Sequence, residues 1–285
     1  MSKIVDILAK GSGLPGAGNV KPNKMGVKRF PFIFLIDVSG STGLPPDPDI
    51  DHINQAMATL LDMLKKPTPS SELAQHVDQI DVTILAYSDN VTQYLDWSTV
   101  ENLPASIPPM QPLNGTATGK ALEAALEKVA ERLRYYRDPS RKIPFGMPHI
   151  LHLTDGAMND TKPGEPRWNE IKDRLTQIDG RANPEKKYAT LLNFISPKGL
   201  IADWVEIEGQ KMSGKELLQQ LSGEKSVYEM GSEIHTFQEL VKLITVVITK
   251  ITKNLSAKQA LDQARTETGT DKRTKVKIGE AAARA

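Results

Sequence analysis

Cysteine is absent from all 285 residues. Disulfides, thiolate metal sites and cysteine nucleophiles are therefore excluded, although this absence does not by itself fix a compartment. Charge of one sign is not in excess either. The formal net charge is +1, which excludes whole-surface attraction to nucleic acid or to an anionic membrane. Long apolar runs are also missing. The most apolar late segment, Phe237 to Ile251, is interrupted by Glu239, Lys242 and Lys250, whereas a membrane span needs about 20 mostly apolar residues. The opening MSKIVDILAKGSG has a short apolar part broken by Asp6, which does not make a signal peptide. These absences lead to the expectation of a cytoplasmic protein with no membrane and no nucleic-acid partner.

What is present is ordinary soluble material, 39% hydrophobic and 25% charged, enough for one large core or two small ones. Residues 1–28 are rich in Gly, Pro and Lys and read as a flexible or partner-bound arm. Residues 254–285 are polar, basic and nearly free of large apolar side chains, so they read as a loose tail. Between them, residues 29–253 form the expected domain. FPFIFLIDV, from Phe30, is a largely continuous apolar run of the kind a strand buried on both faces requires. Ile50, Ile53, Met57, Leu60, Leu61 and Leu64 recur at helical spacing. VTILAYSD (82–89) is a second strand, and VTQYLDW (91–97) returns as an antiparallel edge strand after the Asp89-Asn90 turn. Residues 118–136 make a strong helix, HILHLTDG (149–156) a strand, 167–178 a helix and YATLLNFIS (188–196) a strand. Ser213 with Glu216, and Thr236 with Glu239, fit capping boxes ahead of apolar helices, with SVYEM (226–230) as a last short strand. Strands alternating with helices predict an α/β fold: a doubly wound, mostly parallel sheet with helices on both faces and one antiparallel edge strand. In such sheets ligands bind at the carboxyl ends of the strands.

Three segments at those ends carry oxygen ligands: Asp37-Val-Ser39-Gly-Ser41, Gly115-Thr116-Ala-Thr118-Gly119 and Thr154-Asp155-Gly156. Carboxylates and hydroxyls are hard ligands, suited to Mg or Mn rather than zinc or copper. Ser39, Ser41 and Thr116 offer hydroxyls. Asp37 and Asp155 could bind directly or through water, with Gly40 allowing a sharp turn between the serines. Two carboxylates balance one divalent cation, and a coordination position left to solvent would attract the carboxylate of another protein. No general base or nucleophile stands out beside them, so the expectation is a binding site and not an enzyme.

In this order and on these elements, Asp-x-Ser-x-Ser, Gly-Thr-x-Thr-Gly and Thr-Asp-Gly resemble the von Willebrand factor A domain, over roughly residues 30 to 250. The resemblance implies a metal-ion-dependent adhesion site with Asp37, Ser39, Ser41, Thr116 and Asp155 in the ligand positions. Within the family, FIFLIDVSGS, HILHLTDG and the long stretch between the second and third loops look closest to the bacterial TerY-like tellurite-resistance group. That likeness implies a role in stress response or defence, with kinase-like or phosphatase-like partner proteins.

Other residues receive plainer readings. Thr118 is taken as the N-cap of its helix, and Thr154 as a support for Asp155. His152, inside an apolar strand, is read as a core or interface histidine. His52, His76, His149 and His235 lack metal spacing. Asn159 and Asp160 are assigned a minor place on the rim. Arg132, Arg134, Arg137, Arg141 and Lys142 are read as a solvated helix end. Two competing functions stand beside an interaction module. One is an accessory subunit of a separate AAA+ ATPase, since the chain has no Gly-x-x-x-x-Gly-Lys-[Ser/Thr] loop of its own. The other is a metal-dependent phosphoryl or ester hydrolase.

Overall fold

The computed structural model describes residues 26–43, 49–69, 71–196, 203–207, 210–229, 236–253, 256, 259, 260, 262 and 263. Most of the expected arm and tail, the prolines at 45, 46 and 48, and Met230 of the last expected strand lie outside these residues.

The apolar run from Phe30 forms β1 (Phe30–Asp37), buried at every position. It lies inside a six-stranded sheet with β2 (Ile80–Tyr87), β3 (Val91–Thr99), β4 (His149–Thr154), β5 (Thr190–Ile195) and β8 (Val227–Glu229), in the order β3-β2-β1-β4-β5-β8. All neighbours pair in parallel except β2 and β3, so the antiparallel edge strand is where the sequence places it. A separate hairpin, β6 (Asp203–Ile207) with β7 (Gln210–Ser213), was not anticipated. Its strands are short and carry Asp203, Glu206 and Lys211 among few apolar residues, so they give no strong periodic signal.

The alternation of β1 divides the interior into two cores. Phe32, Phe34 and Ile36 point to one face, where they join Ile53, Leu60 and Leu64 of α1 (Asp49–Lys65) and Val247, Ile248 and Ile251 of α5 (Thr236–Thr252). Ile33 and Leu35 point to the other. There they meet Leu122, Leu126 and Val129 of α2 (Thr118–Arg137), Ile171 and Leu175 of α3 (Pro166–Ile178), and Leu217 and Leu221 of α4 (Gly214–Ser222). Each such side chain contributes roughly 1.5–3 kcal/mol when fully buried. The first core continues past residue 253 to Ala260, which is fully buried. The capping box of Ser213 and Glu216 is formed at the start of α4, and α5 begins at Thr236.

The chain winds from β1 through β2 to β3 on one side, then crosses by α2 to β4 on the other side of β1. The switch point lies between β1 and β4, so the crevice at their carboxyl ends is where this topology places a ligand. At the opposite, amino-terminal end sits a buried ionic cluster. Arg29 and Arg132 both pair with Asp81, and the Tyr136 hydroxyl donates to the same carboxylate. The Arg132 guanidinium also lies 5.1 Å from the Trp97 ring centroid and 4.5 Å from that of Tyr135. This corrects the reading of a solvated helix end for Arg132, which is only 3% exposed, while Arg137, Arg141 and Lys142 are exposed as read. Arg137 and Arg141 lie over Phe145 and Tyr135. The spacing 125, 129, 132, 136 puts Arg132 on the inward stripe of α2, a placement that outweighs the general preference of cations for helix ends.

Arg132→Ala leaves Asp81 with one buried cation fewer and exposes a gap beside Trp97. The expected loss is about 3–5 kcal/mol of stability, read as a lowered urea midpoint. A change under about 1 kcal/mol would show the cluster to be solvated and weak.

Candidate metal site at the sheet rim

Asp37 closes β1 and Asp155 follows β4, so adjacent parallel strands deliver both carboxylates to one rim. Asp37 is 1% exposed and Asp155 3%. The Ser39 N–H donates to Asp37 Oδ1 at 2.9 Å, which folds the chain back over the strand end. Ser39 Oγ and Ser41 Oγ lie 3.0 Å apart, and the Ser41 hydroxyl donates to Asp155 Oδ2. The other Asp155 oxygen accepts the Ala157 N–H at 3.0 Å. The second loop is tied to the third where Asn159 N–H donates to the Thr116 carbonyl at 2.9 Å, and to the residue just past β2 where Ala117 N–H donates to the Ser88 carbonyl at 2.6 Å. Of the five residues anticipated from the sequence, Asp37, Ser39, Ser41 and Asp155 share one hydrogen-bonded chain, whereas buried Thr116 is tied to the Asp155 loop through its backbone carbonyl alone.

The glycine requirement falls elsewhere than expected. Gly40 does not have positive φ, and a β-carbon there would make an ordinary contact at 3.5 Å. Gly156 is among the constrained ones. Its φ is +84°, and a β-carbon would lie 2.7 Å from Cα of Gly214. This close approach sets the Asp155 loop directly against the start of α4.

Three supporting residues also differ from their sequence readings. Thr118 is not the N-cap: Ala117 occupies that position, and the Thr118 hydroxyl donates to the Ala157 carbonyl at 2.7 Å. Asp160 serves the helix start instead, its two oxygens accepting the N–H groups of Gly119 and Lys120 at 2.9 Å each. A carboxylate from a neighbouring loop suits the positive end of the helix dipole. Thr154 supports Asp37 rather than Asp155, donating to Asp37 Oδ2 at 2.8 Å. One residue outside the sequence-derived site touches it, and a second reaches it through the first. The Tyr87 hydroxyl lies 3.2 Å from Asp37 Oδ2 and 2.8 Å from His152 Nε2. His152 is thus a satisfied core histidine, as its apolar strand implies, and it also braces the rim.

Electrostatics make the rim anomalous. Burial and then the Asp155 carboxylate push Asp37 up to about 7, and hydrogen bonds from Ser39 and Thr154 only partly offset this. Two carboxylates confined in one place repel unless a cation lies between them. Among the described residues no three His, Cys, Asp or Glu side chains converge on a metal position. A metal here would therefore take two carboxylates and neutral hydroxyls, the oxygen set of a hard divalent cation. Asp37, Asp155, Ser39, Ser41 and Thr116 fit such an ion in chemistry and in charge.

The profile of the von Willebrand factor type A domain matches residues 32–183. No curated protein matches. Among solved structures, the pilus adhesin SpaC from Lactobacillus rhamnosus GG, in its open conformation, superposes with a TM-score of 0.53 at 10% identity, covering 81% of this chain and 31% of that one. BatB from Bacteroides thetaiotaomicron, described as a conserved hypothetical protein, gives 0.43 at 13% identity over 77% of this chain and 98% of its own. Proximal thread matrix protein 1 from the mussel byssus, solved with a zinc-occupied MIDAS motif, gives 0.43 at 17% identity over 79% and 46%. The chain thus spans less than half of the mussel protein and about a third of the adhesin.

The raised Asp37 value has a signed consequence. Between the ordinary carboxylate value of 3.8 and about 7 the folded state holds a proton that the unfolded chain has released. The metal-free protein therefore loses stability as pH rises through this window, and the loss is complete above it. Asp37→Asn, which mimics the protonated carboxyl, should be more stable than wild type by about 1–3 kcal/mol in EDTA at pH 8. The difference should vanish near pH 4. Urea titrations at both pH values check this, and a less stable variant at pH 8 would contradict it.

Proposed function

Because the chain belongs to the von Willebrand factor type A domain family, we propose that it is a non-enzymatic interaction module that holds Mg or Mn at the sheet rim. The ion coordinates an Asp or Glu of a partner protein. The observation that carries this reading is the pairing of buried Asp37 and Asp155 with the Ser39 and Ser41 hydroxyls, at a point where Asp37 is driven up to about 7. A divalent cation relieves the repulsion and, held by two carboxylates and neutral oxygens, still attracts a third carboxylate. The ion's contribution is charge and an open coordination position. The chain's own residues supply a fixed shell.

The rim offers a second kind of contact. Leu113 is 53% exposed, the one large apolar side chain so exposed among the described residues. Its N–H donates to the Val38 carbonyl at 2.8 Å and it bridges to Ser39. The preceding loop is held by the Asn54 amide, which pairs with both backbone groups of Met110 at 2.9 and 2.7 Å. A leucine presented beside the ion on a braced loop suits a partner whose acidic residue has an apolar neighbour.

The TerY-like resemblance supports placing the module in a bacterial stress-response or defence system, in the cytoplasm, with a kinase-like or phosphatase-like partner. Among the described residues no helix is long and apolar enough to cross a membrane. The missing phosphate-binding loop keeps a second reading in view, in which the partner is a separate AAA+ ATPase.

Calorimetric titration with Mg²⁺ and Mn²⁺ should give one site in wild type, with affinity lost by at least about a hundredfold in Asp37→Ala, in line with loss of a charged ligand. Pulldown from the native host should recover a partner in Mg²⁺ and release it in EDTA. Partner binding unchanged by EDTA and by Asp37→Ala would sink the metal-bridge reading. Leu113→Ser should weaken partner capture by roughly tenfold, about what one apolar anchor contributes, while leaving Mg²⁺ affinity unchanged.

A further inference from the structure

A line of buried polar groups leaves the rim and crosses the sheet under α2 and α4. From Asp37 Oδ2 it passes to Tyr87 Oη at 3.2 Å, to His152 Nε2 at 2.8 Å, and from His152 Nδ1 to Asn193 Oδ1 at 2.8 Å. Asn193 Nδ2 then lies 2.9 Å from Ser222 Oγ and 3.3 Å from the Ser226 carbonyl. Tyr87, His152 and Asn193 are each fully buried. Strand register places His152 opposite Leu35 and Asn193 opposite His152, so the line occupies the face of the second core.

The direction of every bond in this line follows from its far end. The Ser226 carbonyl can only accept. The Ser222 hydroxyl already donates to the Leu218 carbonyl at 2.7 Å, so toward Asn193 it accepts as well. Asn193 must therefore turn its NH2 to α4 and its oxygen to His152, and His152 Nδ1 must carry the hydrogen. Burial keeps this imidazole neutral, with its value lowered to about 4. A neutral imidazole has one N–H, so Nε2 is left as an acceptor. The single Tyr87 hydrogen then goes to His152 at 2.8 Å rather than to Asp37 at 3.2 Å. Thr154, whose hydroxyl donates to Asp37 Oδ2, takes the Gly156 N–H at 2.9 Å as its own donor. Thr118 donates to the Ala157 carbonyl.

We infer that His152, oriented by Asn193, is a positioning residue for the rim: it draws the Tyr87 hydrogen away from Asp37 and so leaves that carboxylate's charge available to a divalent cation. The inference rests on the reading of the rim as a metal site, and it names which buried residues set the strength of that site. Replacing His152 by an apolar side chain frees the Tyr87 hydrogen, whose nearest remaining acceptor on this line is Asp37 Oδ2. That bond competes with the cation. Removing the Tyr87 hydroxyl at the same time removes the competitor.

The sign of the double substitution separates this role from simple packing. Mn²⁺ affinity, measured by calorimetry on variants whose fold is checked by circular dichroism, should fall about tenfold in His152→Leu, within the range seen for groups that support ligands. It should remain within about threefold of wild type in Tyr87→Phe and recover toward wild type in Tyr87→Phe/His152→Leu. A double variant no tighter than His152→Leu, or His152→Leu binding as wild type does, overturns the inference. An independent reading needs neither metal nor substitution: ¹⁵N shifts of the His152 ring in metal-free wild type at pH 7 should show the hydrogen on Nδ1, and a hydrogen on Nε2 overturns it. If wild type binds no Mn²⁺, the metal reading falls and this inference with it. If wild type binds and Asp37→Ala does not, but the double variant shows no recovery, this inference alone falls.

Discussion

Two carboxylates buried at one place are the constraint on which the rest of this rim depends. Asp37 and Asp155 arrive together because β1 and β4 are parallel neighbours that end at the same level. Their repulsion would normally be relieved by solvent or by a basic side chain. Here the groups that lower the Asp37 value are neutral, Ser39 and Thr154, and they are too weak to cancel burial and Asp155. The hydroxyl chain through Ser39 and Ser41 and the close packing of Gly156 on Gly214 hold that repulsion in place. A rim built this way holds unfavourable charge that a divalent cation, as proposed above, would relieve.

The opposite end of the sheet shows that the fold can neutralise a buried acid. Asp81 is fully buried, yet it is met by two arginines and a tyrosine hydroxyl. Breaking one partner of such a cluster is costly because an uncompensated charge remains. The two ends thus treat the same problem in contrary ways. At the amino end the acid is closed off and contributes to holding β1, β2 and α2 in register. At the carboxyl end the acids are left short of positive charge, and Asp37 is raised to about 7 as a result.

Much of this was legible in the sequence, because the signals were those of simple period and burial. The all-apolar β1, the helix from Thr118 and the antiparallel return at Val91 each lie within a residue or two of their expected positions. The rim residues could be named because they follow strands whose carboxyl ends must converge in a doubly wound sheet. What escaped depends on contacts between distant segments. Asp160 caps α2 from another loop, a job assigned to Thr118 because local rules look only at neighbouring residues. Gly156 is needed because of Gly214, far along the chain, whereas Gly40 was credited on local grounds. Arg132 shared the inward stripe of its helix, and that spacing was overruled by its charge. The β6–β7 hairpin carried too little alternation to stand out.

His152 is the most instructive case, since its two descriptions turn out to be the same one. A histidine in an apolar strand must find partners for both ring nitrogens or cost a few kcal/mol. Asn193 and Tyr87 satisfy them, so the residue is a satisfied core histidine in the plainest sense. Yet satisfaction in a closed line of donors and acceptors has a direction, and the backbone carbonyl of Ser226 fixes it. A leucine at position 152 would fill the core as well and would turn the Tyr87 hydrogen to Asp37, 3.2 Å away. The polar line therefore contributes orientation where apolar packing would contribute only cohesion. It joins the last turns before β8 to the carboxylate at the centre of the rim, so that what looks like a detail of core packing sets how much charge Asp37 presents.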